Sequence, residues 1–550
     1  MKIDKKSALN FCPCVGYFIF FISLFLNSCN KPNIENNTTN AQSSQSIRFE
    51  KLTQQYSKKD SKNFELINNI KSGIDFKFDL GDFYSRAKEY IFATPMGGVA
   101  TGDFNGDSLP DIYFTSPSGG NRLYKNLGDF KFADVTKSAM IEDNTIWGTG
   151  AGFVDINGDG HLDIYACGYM TPNKIFMNNG DETFTEKSSS IGLNHLGASM
   201  NLNFADIDGD GDLDAYLATT TKLPPPGTKF GVNFVKQKDG SEKPIIPKEI
   251  AEYWQFIYLP DKKVHKTEAG QADKIFINKN GVFEDATTQS GIKGNYFTLS
   301  ATWWDYDSDG DPDIYVSNDF TGPDMLYKNN GNGVFKDTIL SSIPHTPWFS
   351  MGSDSADVNN DGLIDLFATD MAATSHYREK VMMGNMNDMG WFLEHANPRQ
   401  YMRNALYINT GTDKMLESAF LSGIASTDWS WSPRLEDFDC DGLIDLFVTN
   451  GVIRDSMNSD LSIMADKQFK GGSPEWRKFW TNQKMRKERN LAYKNTGNLK
   501  FIPTGNLWGL DHEGVSLGAA TADFDGDGDL DIVVNNADGQ PLLYKNNTTN

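Results

Sequence analysis

The sequence predicts an all-β fold, a seven-bladed β-propeller, on three observations. A nine-residue Asp-rich loop recurs seven times along the 550 residues. Each copy runs directly into an apolar, β-type segment such as Ile112-Tyr113-Phe114 or Ile532-Val533-Val534. Further on in each repeat comes an apolar strand ending in Asn, again in seven copies, from NRLYKN at 121–126 to PLLYKN at 541–546. Repetition at a fixed period is the signature of radial or stacked repeats, and short strands with turn signals make the radial all-β reading the natural one.

The loops read DFNGDSLPD (103–111), DINGDGHLD (155–163), DIDGDGDLD (206–214), DYDSDGDPD (305–313), DVNNDGLID (357–365), DFDCDGLID (437–445) and DFDGDGDLD (523–531). The strand before each loop is rich in small and aromatic residues, as in GTGAGFVD (148–155) and ATWWD (301–305), which suits a crowded inner channel. A third strand follows six of the loops, for example FADVT (132–136) and FTEKS (184–188). The seventh copy of that strand is expected at the other end of the chain, as Phe49-Glu50-Lys51-Leu52-Thr53. An N-terminal strand lent to the last blade closes the ring and removes an exposed edge.

The loops recur about every 52 residues, with three longer intervals. The extra material, expected to be helical or irregular, falls at about 220–271, 371–402 and 453–489, always between the strand after the loop and the strand ending in Asn. Connections in an antiparallel blade alternate between faces, so all three inserts belong on the face away from the Asp loops. Long loops on a rigid scaffold carry function more often than the scaffold does. Trp254, Arg378, Trp391, Trp476 and Trp480 in the inserts, with Trp429 and Trp431 in a connection reaching the same face, are the candidate ligand-binding residues. For any single Trp the competing reading is packing of the insert against the ring.

The chemistry of the loops is that of a hard cation. Calcium takes six to eight oxygen ligands in a flexible cage. Side chains at positions 1, 3, 5 and 9 converge when the backbone curls, and Gly at position 6 permits the turn. These positions are Asp103, Asn105, Asp107 and Asp111; Asp155, Asn157, Asp159 and Asp163; Asp206, Asp208, Asp210 and Asp214; and Asp305, Asp307, Asp309 and Asp313. They continue as Asp357, Asn359, Asp361 and Asp365; Asp437, Asp439, Asp441 and Asp445; and Asp523, Asp525, Asp527 and Asp531. Position 6 is Gly in every copy but the first, where it is Ser108. An EF-hand would need Glu at position 12 and flanking helices, and neither is present. Up to seven structural Ca²⁺ are expected, and they would remove most of the formal charge of −22.

These residues resemble the FG-GAP/VCBS repeat family, the calcium-loop propellers related to integrin α-subunit heads. The resemblance covers roughly residues 47–550 and implies that the family's ligand positions fall on the loop residues named above. It also implies adhesion or ligand binding. Bacterial relatives often carry an additional ASPIC/UnbV-type C-terminal domain, which this sequence is expected to lack.

The N-terminus reads as an export signal. Lys2, Lys5 and Lys6 precede an apolar run from Val15 to Leu26, followed by a lipobox-like Leu26-Asn27-Ser28-Cys29. Residues 1–28 are therefore expected to be a lipoprotein signal peptide, Cys29 the lipidated residue and 29–46 a flexible tether before the propeller at 47–550. The expected location is the bacterial cell envelope, as an outer-membrane lipoprotein. Cys167 and Cys440 alone remain in the body, too few for a disulfide framework. An acidic surface repels nucleic acid and anionic lipid, so neither is an expected partner, and the membrane is reached through the lipid alone. There is no G-x-S-x-G or H-E-x-x-H motif, and the seven His are scattered. The expectation is thus a monomeric binding or adhesion module for a glycan, peptide or protein, with no catalytic residue. The alternatives are a polysaccharide lyase or hydrolase on the same scaffold, and a protein-binding accessory subunit of an outer-membrane complex.

Overall fold

The computed structural model describes residues 63–80, 97–222, 231–382 and 390–548. The chain divides at Thr53/Gln54, and the described residues all belong to the second unit, Gln54–Asn550. The signal peptide at 1–28, Cys29, the tether at 29–46 and the strand expected at Phe49–Thr53 lie outside the described residues.

Among the described residues, five four-stranded antiparallel sheets and one eight-stranded sheet, in which two such units join where Leu196–Ala198 pairs with Tyr169–Pro172, give seven four-stranded units. The first runs Val99–Gly102, Asp111–Phe114, Arg122–Asn126 and Phe132–Asp134. In every unit the Asp loop joins the first strand to the second. The final unit takes Ser516–Ala522, Asp531–Asn536 and Leu542–Asn546 from the C-terminal end and completes itself with Phe64–Ile67. Phe64 pairs with Asn546 and Ile67 with Leu543. A strand from the N-terminal side therefore completes the last unit, as expected, but the segment doing so is 64–67. The expected Phe49–Thr53 copied the composition of the other third strands. The partner edge selects instead a segment whose Phe64 and Ile67 both reach the core, at 2 % and 4 % exposed.

The core is distributed between units. Ile164, Ala166 and Phe176 of the second unit pack on Tyr113 and Leu123 of the first. Leu366, Ala405 and Tyr407 of the fifth pack on Trp304, Tyr315 and Leu326 of the fourth. The last such layer joins Ala520, Val533 and Leu543 of the final unit to Val99, Ile112 and Phe114 of the first, so the layers run in a circle. Each unit is thus half of two cores, and no unit can bury its apolar surface alone. The first strands of all seven units line a central channel of about 430 Å³. They approach closely there: a Cβ on Gly150 would lie 2.4 Å from the Met200 carbonyl oxygen. This is why small residues dominate that strand.

The last strand of each unit is shorter than the sequence pattern suggests. Phe184–Glu186 gives way to a helical turn at Ser188–Ile191, and Phe283–Asp285 to one at Thr287–Ser290. The first insert also differs from expectation. It is mainly two β-hairpins, Asn233–Lys236 with Glu242–Ile245 and Trp254–Tyr258 with Val264–Glu268, rather than helical or irregular chain. Its Phe-Val and Trp-Gln-Phe-Ile-Tyr runs have strand character and find partners in one another. The second insert carries helices His376–Val381 and Gly390–His395, and the third Ser459–Gln468 and Pro474–Thr481. No helix among the described residues is long and apolar enough to cross a membrane.

Candidate functional site

Each Asp loop is organised by its own carboxylates. In the first copy Asp103 accepts from the backbone N–H of Gly106 at 2.8 Å, Asp107 at 3.1 Å and Ser108 at 2.7 Å. The same bond from position 6 recurs with Asp155 and Gly160, Asp206 and Gly211, Asp305 and Gly310, Asp357 and Gly362, Asp437 and Gly442, and Asp523 and Gly528. That donor sits at positive φ, from 85° at Gly442 to 94° at Gly211. Ser108 adopts 67° at the same place, at a backbone cost of roughly 1–2 kcal/mol.

Position 9 is the buried anchor. Asp111 accepts from Phe104 N–H at 3.1 Å and from Asn126 N–H at 2.7 Å. Asp163, Asp214, Asp313, Asp365, Asp445 and Asp531 repeat both bonds with the corresponding residues. Burial, then repulsion from the loop's other carboxylates, pushes these side chains up: Asp163 and Asp214 to about 6, Asp111, Asp313 and Asp365 to about 7, Asp445 and Asp531 to about 8. The two backbone bonds pull the other way without cancelling the shift.

The Asn that ends the strand following each Asp-loop strand has a role that sequence reading missed. Asn178 donates to the Phe104 carbonyl of the preceding unit at 2.8 Å, and Asn126, Asn329, Asn409, Asn495 and Asn546 reach the equivalent carbonyl in the same way. It ties one unit's strand to its neighbour's Asp loop, so loop geometry and ring packing are coupled. Its recurrence in all seven copies was the available signal.

The donor set fits a metal ion. Carboxylate oxygens converge within 4.8 Å of one another in four loops, at Asp206, Asp208 and Asp210; Asp305, Asp307 and Asp313; Asp437, Asp439 and Asp445; and Asp523, Asp525 and Asp531. These are the loops with Asp at position 3. In three of them the Oδ1 of that residue, Asp208, Asp307 or Asp525, is buried with no hydrogen-bond donor. An acceptor-only group in that state calls for a cation. Where position 3 is Asn, its amide instead donates to the position-5 carboxylate: Asn105 to Asp107 and Asn157 to Asp159 at 2.9 Å, and Asn359 to Asp361 at 3.0 Å. In three loops a lysine from the strand ending in Asn reaches the Oδ2 atoms of the same carboxylates. Lys328 lies 2.9 Å from Asp309, Lys494 2.7 Å from Asp441 and Lys545 3.3 Å from Asp527, and each also contacts the position-3 carboxylate.

A family model described as FG-GAP-like repeat matches residues 103–166, 155–217 and 305–368. The chain carries FG-GAP-like repeats. The loops at 437–445 and 523–531, outside these segments, repeat the hydrogen bonds of the matched ones. Cartilage acidic protein 1 is the relative found in three vertebrates. The mouse protein is 22% identical over 485 residues, covering 79% of this chain and 65% of that protein. The human protein is 32% identical over 80 residues and the Xenopus tropicalis protein 27% over 123, covering 12% and 19% of those proteins. The chain thus spans less than two thirds of the length of these relatives. Among solved structures, the BP39L lectin from Burkholderia pseudomallei aligns with TM-score 0.42 and 9% identity over 83% of this chain and 98% of its own. Saccharomyces cerevisiae Sqt1 aligns with TM-score 0.39 and 8% identity over 82% and 96%.

On the opposite face the structure separates the candidate ligand-binding residues. Trp254, Trp391 and Trp429 line one cavity of about 470 Å³. Trp431 lines the central channel and donates to the Gly451 carbonyl. Arg378 forms an ion pair with Glu488 at 3.1 Å, bracing the second insert against the third. Trp476 donates to Asp466 and meets Trp480 edge to face at 5.8 Å. Trp480 is 2 % exposed and packs inside the third insert, because two short helices standing off the ring need an apolar centre of their own.

Proposed function

We propose that this protein is a calcium-stabilised binding module that uses the insert-bearing face to hold a glycan, peptide or protein ligand. The observation that carries the reading is the aromatic cavity assembled from the three inserts and the ring, on the face away from the Asp loops. A concave, largely apolar site with a few convergent polar groups is the usual form of a ligand site. The loops would hold up to seven Ca²⁺ through positions 1, 3, 5 and 9, and the ion would supply the positive charge that ties each loop together. Binding without turnover is the proposed role, in a cell-envelope lipoprotein anchored through Cys29, acting as a monomer.

The test uses the calcium-loaded protein without its first 28 residues. It is incubated with a panel of polysaccharides and glycoproteins, scoring retention and product release together. Retention without release is expected, and Trp391→Ala should lose at least tenfold in affinity. Release of cleaved product, or retention indifferent to Trp391, would overturn the reading.

The lysines make a separate prediction. Lys494 competes with an incoming cation for Asp439 and Asp441. Lys494→Met should therefore bind calcium several-fold more tightly at that loop, in a calorimetric titration, while melting lower in the absence of calcium. Weaker binding would contradict the assignment of those carboxylates as ligands.

A further inference from the structure

The cavity on the insert face has a chemical character that narrows its ligand. Its walls are aromatic: Trp254 from the first insert, Trp391 from the second, and Trp429, Phe320 and Phe349 from the ring. These walls are held in place. Trp391 stacks on His265 at 4.3 Å with the rings 11° from parallel, joining the first insert to the second. The Thr267 and Thr321 hydroxyls hydrogen-bond at 2.9 Å, joining the first insert to the ring. Phe320 and Phe349 lie 5.7 Å apart.

Asp319 places a carboxylate among them. Asp319 ends the strand Asp313–Asp319 and lines the cavity, and its Oδ1 is buried with no hydrogen-bond donor. Trp429 lines the same cavity, and its indole N–H is buried with no acceptor. An orphaned acceptor and an orphaned donor thus share one cavity between aromatic walls. Indole faces attract cations through the ring quadrupole, and Lys266 Nζ already lies 3.7 Å from the Trp254 ring centroid.

Resting on the binding-module reading, we propose that this cavity takes an organic cation that also carries an oxygen acceptor. The ammonium would meet Asp319 between the aromatic walls, and the oxygen would accept from Trp429. An amino alcohol or an amino sugar, free or at the end of a larger ligand, has that chemistry. A neutral sugar would leave the Asp319 carboxylate without a cation beside it. Burial, with the charge of Asp370 behind it, pushes the Asp319 carboxyl up to about 7, which is the condition of a carboxylate lacking a cation. The other charged or titratable groups on the cavity are His265, Lys266 and Glu268. The chain's formal charge of −22 favours capture of a cation at longer range.

Tryptophan fluorescence of the calcium-loaded protein reads the site directly. The probes are choline and glucosamine, each set against its neutral counterpart, 3,3-dimethylbutan-1-ol and glucose. Saturable change with both cations is expected, with each neutral counterpart at least tenfold weaker. Asp319→Asn should abolish that preference while circular dichroism stays native, and Trp391→Ala should weaken both cations at least tenfold. Equal binding of cation and neutral partner, no saturable binding by any probe, or an unchanged preference in Asp319→Asn would overturn the proposal. If these probes fail but the wild type still retains a polysaccharide or glycoprotein through Trp391, only the ligand class is wrong. If retention also fails, the binding-module reading falls with it.

Discussion

Removing calcium should lower the melting temperature by about ten degrees or more and invert the dependence of stability on pH. A ligand present at a hundred times its dissociation constant stabilises by about 2.7 kcal/mol per site, so three or more occupied loops contribute roughly 8 kcal/mol or more. A kilocalorie per mole shifts the melting point of a domain of this class by roughly one to a few degrees. The inversion follows from position 9. Burial and neighbouring carboxylates raise Asp111, Asp313 and Asp365 to about 7 and Asp445 and Asp531 to about 8 in the ion-free fold, above the unfolded value of about 3.9. The folded chain then binds more protons than the unfolded one between about pH 4 and 8. Ion-free stability is therefore greatest at the acidic end and is lost as pH rises through the folded values. With calcium bound the carboxylates are wanted ionised, and stability falls instead as pH drops and protons compete. Melting curves at pH 5.5 and pH 8, with calcium and after exhaustive removal, should cross. Parallel curves, or a melt indifferent to calcium, would refute both parts.

Asp445→Ala is the most damaging single substitution expected in the loops. Asp445 is fully buried and accepts from Phe438 N–H at 3.2 Å and Asn495 N–H at 2.8 Å. Truncation leaves two buried donors unpaired at about 1–3 kcal/mol each, so the ion-free protein should lose roughly 3–5 kcal/mol in denaturant unfolding. Asp441→Ala in the same loop removes a more exposed carboxylate, whose Oδ1 accepts from Leu443 N–H, and should cost less without calcium. Asp445→Asn keeps an acceptor and should fall between the two. Equal losses for Asp445→Ala and Asp441→Ala would show that position 9 is not the anchor.

The β-propeller fold and the Asp-loop pattern were legible because both repeat. Asp at positions 1, 5 and 9, Asp or Asn at position 3 and a residue at positive φ at position 6 recur in seven copies, and the recurrence makes the constraint visible. The N-terminal strand was misplaced because Phe64-Glu65-Leu66-Ile67 is chosen by the open edge of Leu542–Asn546 rather than by a pattern of its own. The inserts do not repeat, so no period distinguished the hairpins of the first from the helices of the third. Trp480 and Trp391 are alike in sequence; one fills the centre of its own insert and the other faces a cavity, and only packing against other inserts separates them. Asp319 lies beyond the apolar run of its strand and belongs to no motif. Its importance comes from Trp391 and Trp429, brought beside it from 72 and 110 residues further along the chain.

The most direct test of the account is the calcium content of the protein after equilibrium dialysis. The account predicts at least four ions per chain, one for each loop with Asp at position 3, and one fewer in Asp445→Ala. Protein that retains no calcium at millimolar free ion, or the same number in Asp445→Ala as in the wild type, would contradict it.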